Sequence, residues 1–469
     1  MSIKVALPKG RLLNDTASLT SRAGWGLSDY SESARLYHLK SSRFPDLTAK
    51  ILHEKDIPIQ VAIGNYDLGI CGLEWIQELI VKYPASGLVK VRNLGYACRC
   101  LFLAADRRSG FPSLDSVRNS NLVISIATEY PNLAESVSLN CRFKRFNIFP
   151  VWGAAEIFPP ESADLVLLPA NSQSDLPVNL AAIAKIMDSA AFLIANKTSW
   201  ENQNLNTLLN TLTPLIAART ETTTVVEQFE PVASIISTPA MPPESIRLAL
   251  PDGHQQKHMV NILNKARIKI SDYPSYNGNR RPEIALPGFS AKVIRPQDMP
   301  LQVANGKFDI AITGKDWVRE HLYKFPSSPI VELADLKYGR VNIVAAVHKD
   351  LEADDISSLR KLVAQKAWKL RVASEYVSIA DRFARDNRLG MYRIIPTWGA
   401  TEAFLPDDAD ILIENTETGS TLKRHNLKVI ETLFESTACL IGNAGTLNSA
   451  KAARIEDFAE TLKRAVQEN

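Results

Sequence analysis

The chain has 469 residues, 45% of them hydrophobic and 22% charged, which fits a folded globular protein and excludes a disordered one. Lys plus Arg number 54 against 51 for Asp plus Glu, and a net charge of +3 gives no electrostatic footprint for nucleic-acid binding. At a prior of ~150 residues per domain, the length suggests about three domains.

No apolar run approaches the ~18 residues of a membrane span. The opening Met1-Ser2-Ile3-Lys4-Val5-Ala6-Leu7-Pro8 lacks the apolar core and cleavage site of a signal peptide. Cys71, Cys98, Cys100, Cys141 and Cys439 form no CxxC pair, so a cytoplasmic protein with reduced thiols is expected.

In chain order, Ile3–Leu7 is a short apolar run closed by Pro8-Lys9-Gly10, and Leu12, Leu13 and Leu19 follow at helical spacing. Tyr66–Ile70 predicts a buried strand, and Trp75, Ile76 and Leu79 a helix after it. Leu122–Ala127, Leu165–Leu168 and Phe192–Ala195 predict further strands. Residues 219–244 are rich in Thr and Pro without an apolar period and are expected to be an extended linker. Beyond it, Asp410–Ile413 predicts a strand and Ile455–Val466 a closing helix. Strands alternating with helices predict an α/β fold with a largely parallel sheet. Two lobes per unit are expected, with ligands in the crevice at the strand carboxyl ends.

The chain also repeats itself. Val5-Ala6-Leu7-Pro8-Lys9-Gly10 returns as Leu248-Ala249-Leu250-Pro251-Asp252-Gly253, and Asp67, Gly72 and Trp75 return as Asp309, Gly314 and Trp317. Ala127-Thr128-Glu129-Tyr130 returns as Ala373-Ser374-Glu375-Tyr376, and Pro150-Val151-Trp152-Gly153-Ala154 as Pro396-Thr397-Trp398-Gly399-Ala400. All pairs keep their order, at offsets from 242 (Trp75 to Trp317) to 247 (Ser189 to Ser436). So long a period is no solenoid repeat but a tandem duplication of a whole unit. The expected division is a first unit at 1–218, the linker at 219–244 and a second unit at 245–469.

The sharpest local signal follows the strand Asp410–Ile413: Glu414-Asn415-Thr416-Glu417-Thr418-Gly419-Ser420-Thr421. A carboxylate at a strand end, four residues before a Thr-Gly-Ser-Thr turn, suits a phosphorylated ribose. Gly419 admits close backbone approach, and amides with the hydroxyls of Thr418, Ser420 and Thr421 form an anion nest. The same residues also fit an ordinary Ser/Thr-capped helix start.

With Leu7-Pro8-Lys9-Gly10-Arg11-Leu12, Arg295-Pro296-Gln297-Asp298-Met299-Pro300, Asp309 with Gly314, Lys315 and Asp316, the segment Trp398-Gly399-Ala400-Thr401-Glu402 and the loop 414–421, the chain resembles the ATP phosphoribosyltransferase family along nearly its whole length. That resemblance implies two tandem copies of a two-lobed unit like the type II periplasmic-binding fold. It also implies a reaction: N1 of the adenine of ATP displaces diphosphate from phosphoribosyl diphosphate, opening histidine biosynthesis. Alignment and charge stabilisation are the demands of that step, with Mg²⁺, held mainly through substrate phosphates, and Arg or Lys taking up the diphosphate charge.

The two halves differ in a complementary way. The second has the loop and Arg295 but opens with Asp252-Gly253-His254 where the family is basic. The first has Lys9, Gly10 and Arg11, and Arg35 at a family arginine position. Its loop, however, puts Leu168 for the ribose carboxylate, Gln173 for the glycine and Asp175 where a phosphate belongs, and His53 stands at the place of Arg295. The first unit is therefore expected to bind phosphoribosyl diphosphate poorly or not at all.

The expectation is one composite site per chain. Arg295, Glu414 and Arg35 would be catalytic. Glu414, Thr418, Gly419, Ser420 and Thr421 would bind phosphoribosyl diphosphate. Lys9, Arg11, Arg35, Asp309, Trp398 and Glu402 are assigned to ATP or the leaving diphosphate, Arg35 before Lys9 and Arg11.

Weaker signals carry plainer readings. His254 and His258 fit a solvated helix face, and Trp75, Trp317, Trp152 and Trp398 fit core packing. Long-form family members carry a C-terminal regulatory domain for which the second unit leaves no room. A homo-oligomer or a histidine-biosynthesis regulatory subunit are the partners the resemblance leaves open. The competing readings are a non-catalytic ligand-binding or regulatory relative, and a phosphoribosyltransferase of the type I fold. The duplication and the Trp-Gly-Ala segment disfavour the type I fold.

Overall fold

A computed structural model describes residues 2–31, 37–216, 226–229, 244–253, 255–275, 278–366 and 369–467. By contact the chain divides into unit one, Met1–Val151 with Phe158–Ser237 and Trp398–Ala400, and unit two, Trp152–Ile157 with Thr238–Thr397 and Thr401–Asn469. Of the expected linker, only 226–229 and 244 are described. There Glu227–Gln228 pairs antiparallel with Ala184 and Lys185 of unit one.

Each unit has two lobes. In unit one the first sheet runs His38–Lys40, Leu47–Leu52, Ile3–Pro8, Leu68–Gly72, Ala191–Asn196, Leu88–Asn93. The second runs Glu227–Gln228, Leu180–Ser189, Arg99–Asp106, Leu165–Ala170, Ile124–Thr128, Phe146–Pro150. Unit two repeats both patterns. Its first lobe holds Phe289–Ile294, Ile246–Pro251, Ile310–Gly314, Ala438–Asn443, Ile330–Asp335, and its second Tyr392–Pro396, Leu370–Ser374, Ile411–Thr416, Val341–His348, Leu427–Ser436.

The sheets are mixed rather than largely parallel. Three neighbouring strands are parallel in each lobe, as in Leu47–Leu52, Ile3–Pro8 and Leu68–Gly72. The strands that carry the chain between lobes run antiparallel, as Ala191–Asn196 does to Leu68–Gly72 and Arg99–Asp106 to Leu165–Ala170. The parallel strands all end at the cleft. A strand arriving from the other lobe enters at that edge and must run away from it, which reverses its direction.

The cores follow the apolar spacing. Helix Leu13–Arg22 buries Leu13, Thr16, Leu19 and Thr20, an i, i+3, i+6, i+7 stripe against the first sheet with Trp25, Ile51 and Ile70. In unit two, Leu248, Leu250, Met259, Ile312 and Phe458 fill the first lobe, and Val372, Tyr376, Phe383 and Ile413 the second. Each such side chain contributes ~1.5–3 kcal/mol by leaving water. The strand expected from Leu122 starts at Ile124, leaving Leu122 and Val123 exposed, and the one expected at Tyr66–Ile70 lies at Leu68–Gly72. The closing helix spans Ala452–Gln467. Among the described residues no helix is long and apolar enough to cross a membrane, and the five cysteines form no disulfide.

Candidate functional site

In unit two, strand Ile411–Thr416 lies between Leu370–Ser374 and Val341–His348 and carries Glu414 toward the cleft. The loop after it is built by its own side chains. Thr416 Oγ1 accepts from the Gly419 amide at 2.9 Å, and Thr418 Oγ1 donates to Ser420 Oγ at 3.1 Å. Gly419 has φ +71°, a left-handed backbone that glycine takes without penalty. The short helix Ser420–Arg424 starts immediately after it, with Leu422 buried as its anchor and Thr418, Ser420 and Thr421 exposed. Thus the expected carboxylate, turn and helix start are brought together.

Glu414 is an unusual carboxyl. Burial first, then the nearby Glu375, push it up to about 8, with Glu402 adding to the shift; hydrogen bonds from the Asn415 backbone and Thr401 act the other way. Its Oε1 accepts from the Asn415 amide at 3.0 Å and from Asn415 Nδ2 at 3.1 Å. An uncharged carboxyl is the form burial favours.

The first unit tests this position internally. Val344 pairs with Glu414 in unit two exactly where Phe102 pairs with Leu168 in unit one. Leu168 is buried, and the loop after it is exposed, with a Ser172–Ser174 hydroxyl contact of 2.7 Å at the turn Gln173–Asp175.

Sequence reasoning missed a charge cluster within unit one. Arg11 Nη2 pairs with Glu54 at 2.8 Å and Glu74 at 3.2 Å, while Arg99 and Ser189 also bond Glu74. Burial and then Glu74 raise the Glu54 carboxyl; for Glu74, burial is outweighed by Arg99 and then Arg11, which hold it down. The available signal was the contrast with unit two, where Pro296 stands at the place of Glu54. His53 loses its positive character as well: burial, then Lys55 and Lys9, lower it to about 4, so it is neutral where unit two has Arg295.

The remaining candidates divide. Arg295 follows strand Phe289–Ile294 at the cleft and is exposed. Glu402 sits in the turn Thr401–Phe404 with its carboxylate 4.0 Å from His425. Lys9 lies over the Tyr37 ring at 5.9 Å, and Trp398 is half-buried. Arg35 and His254 lie outside the described residues.

Two candidates are already paired within the protein. Asp309 precedes strand Ile310–Gly314, at the end away from the cleft, and is held by Arg247 at 3.2 Å and Lys451 at 3.0 Å. Arg11 is likewise committed to Glu54 and Glu74 within its own unit. In unit two the acid replacing Lys9, Asp252, is neutralised by Arg280 at 2.5 Å. Trp317 packs on Tyr376 at 4.4 Å in the core, and the half-buried Trp75 on Tyr130 at 4.3 Å.

The family model described as HisG, ATP phosphoribosyltransferase, matches residues 53–214 and again 295–464. The chain belongs to the ATP phosphoribosyltransferase family. A relative of that name from Chlorobaculum parvum is 33% identical over 224 residues, spanning 47% of this chain and 71% of the relative. One from Prosthecochloris aestuarii is 31% identical over 224 residues, with the same coverage of 47% and 71%. Among solved structures, an ATP phosphoribosyl transferase (HisG:HisZ) complex from Thermotoga maritima is 21% identical, covering 48% of this chain and 100% of that one at a TM-score of 0.39. The chain thus carries the family's core twice and is a phosphoribosyl-transferring enzyme of histidine biosynthesis.

Proposed function

We propose that the cleft of unit two holds phosphoribosyl diphosphate and passes its phosphoribosyl group to N1 of the adenine of ATP. The observation that carries this is the pair of register-equivalent positions: Glu414 before a Thr-Gly-Ser-Thr loop in unit two, Leu168 before a loop with no glycine in unit one. Glu414 accepts from the ribose hydroxyls. The amides and hydroxyls of Thr418 to Thr421 take the 5-phosphate at the nest and first helical turn. Arg295, at the cleft edge, faces the diphosphate that leaves as the N1–carbon bond forms and the carbon–oxygen bond breaks. Glu402 lines the ribose side.

Mg²⁺ fits this cleft as a passenger on the substrate. Among the described residues no three or more carboxylate, imidazole or thiol groups are set to hold a metal, and an ion carried by phosphate oxygens asks for at most one or two carboxylates. Glu375 and Glu402 are carboxyls that act on Glu414. When bound, Mg²⁺ supplies charge neutralisation on the departing diphosphate. A partner subunit or a homo-oligomer belongs to the same proposal, as the family includes complexes.

The test is a pair of charge changes. Glu414→Lys should abolish binding and turnover of phosphoribosyl diphosphate, followed by the ultraviolet absorbance of the N1-substituted product, and Leu168→Lys should leave binding intact. The reverse pattern assigns the site to unit one.

A further inference from the structure

Glu414 does not stand alone, and what holds it comes from the other lobe. Asp316 follows strand Ile310–Gly314 in the first lobe of unit two, and Tyr376 follows strand Leu370–Ser374 in the second. Tyr376, fully buried, donates from its hydroxyl to Asp316 Oδ2 at 2.6 Å. Asp316 also accepts from Ser436 Oγ at 2.9 Å, and its amide donates to Ser436 Oγ at 3.0 Å, at the strand end where the chain passes back between the lobes. Asn415 Nδ2 donates to the Tyr376 hydroxyl at 3.0 Å and to Glu414 Oε1 at 3.1 Å.

The donor and acceptor inventory fixes the direction of this chain. An ionised carboxylate only accepts, so the single phenolic proton goes to Asp316 and the Tyr376 oxygen is left to accept. The Asn415 amide nitrogen must therefore face Tyr376, and its second proton falls on Glu414 Oε1. That leaves Glu414 Oε2 for the ribose.

Unit one has the same fold without the relay. Its Tyr130 hydroxyl receives from Arg99 at 3.4 Å, its Glu74 is taken by Arg11, Arg99 and Ser189, and Pro169 stands at the place of Asn415 with no side-chain donor. The fold does not need the relay, and it occurs only where Glu414 occurs.

We propose that Asp316, Tyr376 and Asn415 are positioning residues that set the orientation of the Glu414 carboxyl across the two lobes, and so govern the affinity for the ribose of phosphoribosyl diphosphate. This rests on Glu414 being the ribose acceptor. The relay runs to Glu414 and includes none of the arginines assigned to the leaving group, so its loss should act on the ribose side.

The experiment measures KM for each substrate against pH in the full chain carrying Tyr376→Phe, Asn415→Ala, Glu414→Gln or Tyr130→Phe, with thermal unfolding alongside. Tyr376→Phe and Asn415→Ala should each raise KM for phosphoribosyl diphosphate about tenfold, the scale of one hydrogen bond to a charged group. KM for ATP should stay within about twofold, and in Asn415→Ala the alkaline midpoint of the phosphoribosyl diphosphate profile should move to higher pH, since Glu414 loses the Nδ2 donor to its charged form. Tyr130→Phe should do none of this. Asn415 is exposed, so its variant reads the relay even where the buried Tyr376→Phe unfolds.

If Glu414→Gln raises that KM but Tyr376→Phe and Asn415→Ala leave both KM and midpoint alone, the relay is refuted. If Tyr130→Phe matches Tyr376→Phe, packing explains the effect and the relay is again refuted. If Glu414→Gln changes nothing, the ribose assignment itself has failed.

Discussion

Glu414→Gln can be followed quantitatively. The carboxyl is pushed up to about 8 by burial and Glu375. Roughly a tenth is therefore ionised at about pH 7 and roughly nine tenths at about pH 9, each pH unit away from the midpoint being worth ~1.4 kcal/mol. If the ionised form is the ribose acceptor, KM for phosphoribosyl diphosphate falls about tenfold between those values in the parent. The glutamine variant keeps the shape, loses the charge and has no such titration. Its KM should be flat over that range and higher than the parent's by ~10- to 100-fold at the alkaline end, from the ~1.5–3 kcal/mol of a hydrogen bond to a charged acceptor. Near neutrality the gap should narrow, because the protonated parent then resembles its variant. Initial rates at saturating ATP, followed by product absorbance, give KM at each pH. A parent KM that ignores pH, or a glutamine variant that keeps the parent's slope, refutes the argument.

Three other outcomes follow from unit one. Arg11→Ala leaves Glu54 and Glu74 with one arginine instead of two and should cost ~1–3 kcal/mol in urea unfolding, less than a fully buried pair because Arg11 is partly solvated; adding Glu54→Gln should recover part of the loss. Glu78, which burial pushes up to about 7 despite hydrogen bonds from Asn132 and Leu133, has a folded value above its ordinary 4.5. Its contribution to stability is full below that ordinary value and is lost as pH rises through about 7. Glu78→Gln should flatten the unfolding midpoint between about pH 5 and 8. A thiol reagent at neutral pH should label Cys98 first: Cys100 is pushed up to about 11 by burial and Asp188, and Cys71, Cys141 and Cys439 are buried.

Local order was legible because it depends on neighbours in the chain. The apolar spacing of Leu12, Leu13 and Leu19 marked a helix, Gly419 marked a left-handed turn, and the change of Glu414 to Leu168 between copies marked which unit keeps a carboxyl at the strand end. The duplication itself was written in the recurring Trp, Gly and Asp positions. Strand direction was not legible, because the alternation of strands and helices does not say at which edge a strand returning from the other lobe enters a sheet.

Charge partnership was not legible either. Asp309 read as a ligand-facing acid until Lys451, 142 residues away, closed on it, and Arg11 read as a free base until Glu54 and Glu74 met it. The bond from Tyr376 to Asp316 spans 60 residues and two lobes. The sequence by itself determined that two copies exist and which one has the Glu414 to Thr421 loop. Only the tertiary structure decided which charges are already satisfied, because a carboxylate's strongest partner is set by which chain segments fold against it and not by what stands beside it in the chain.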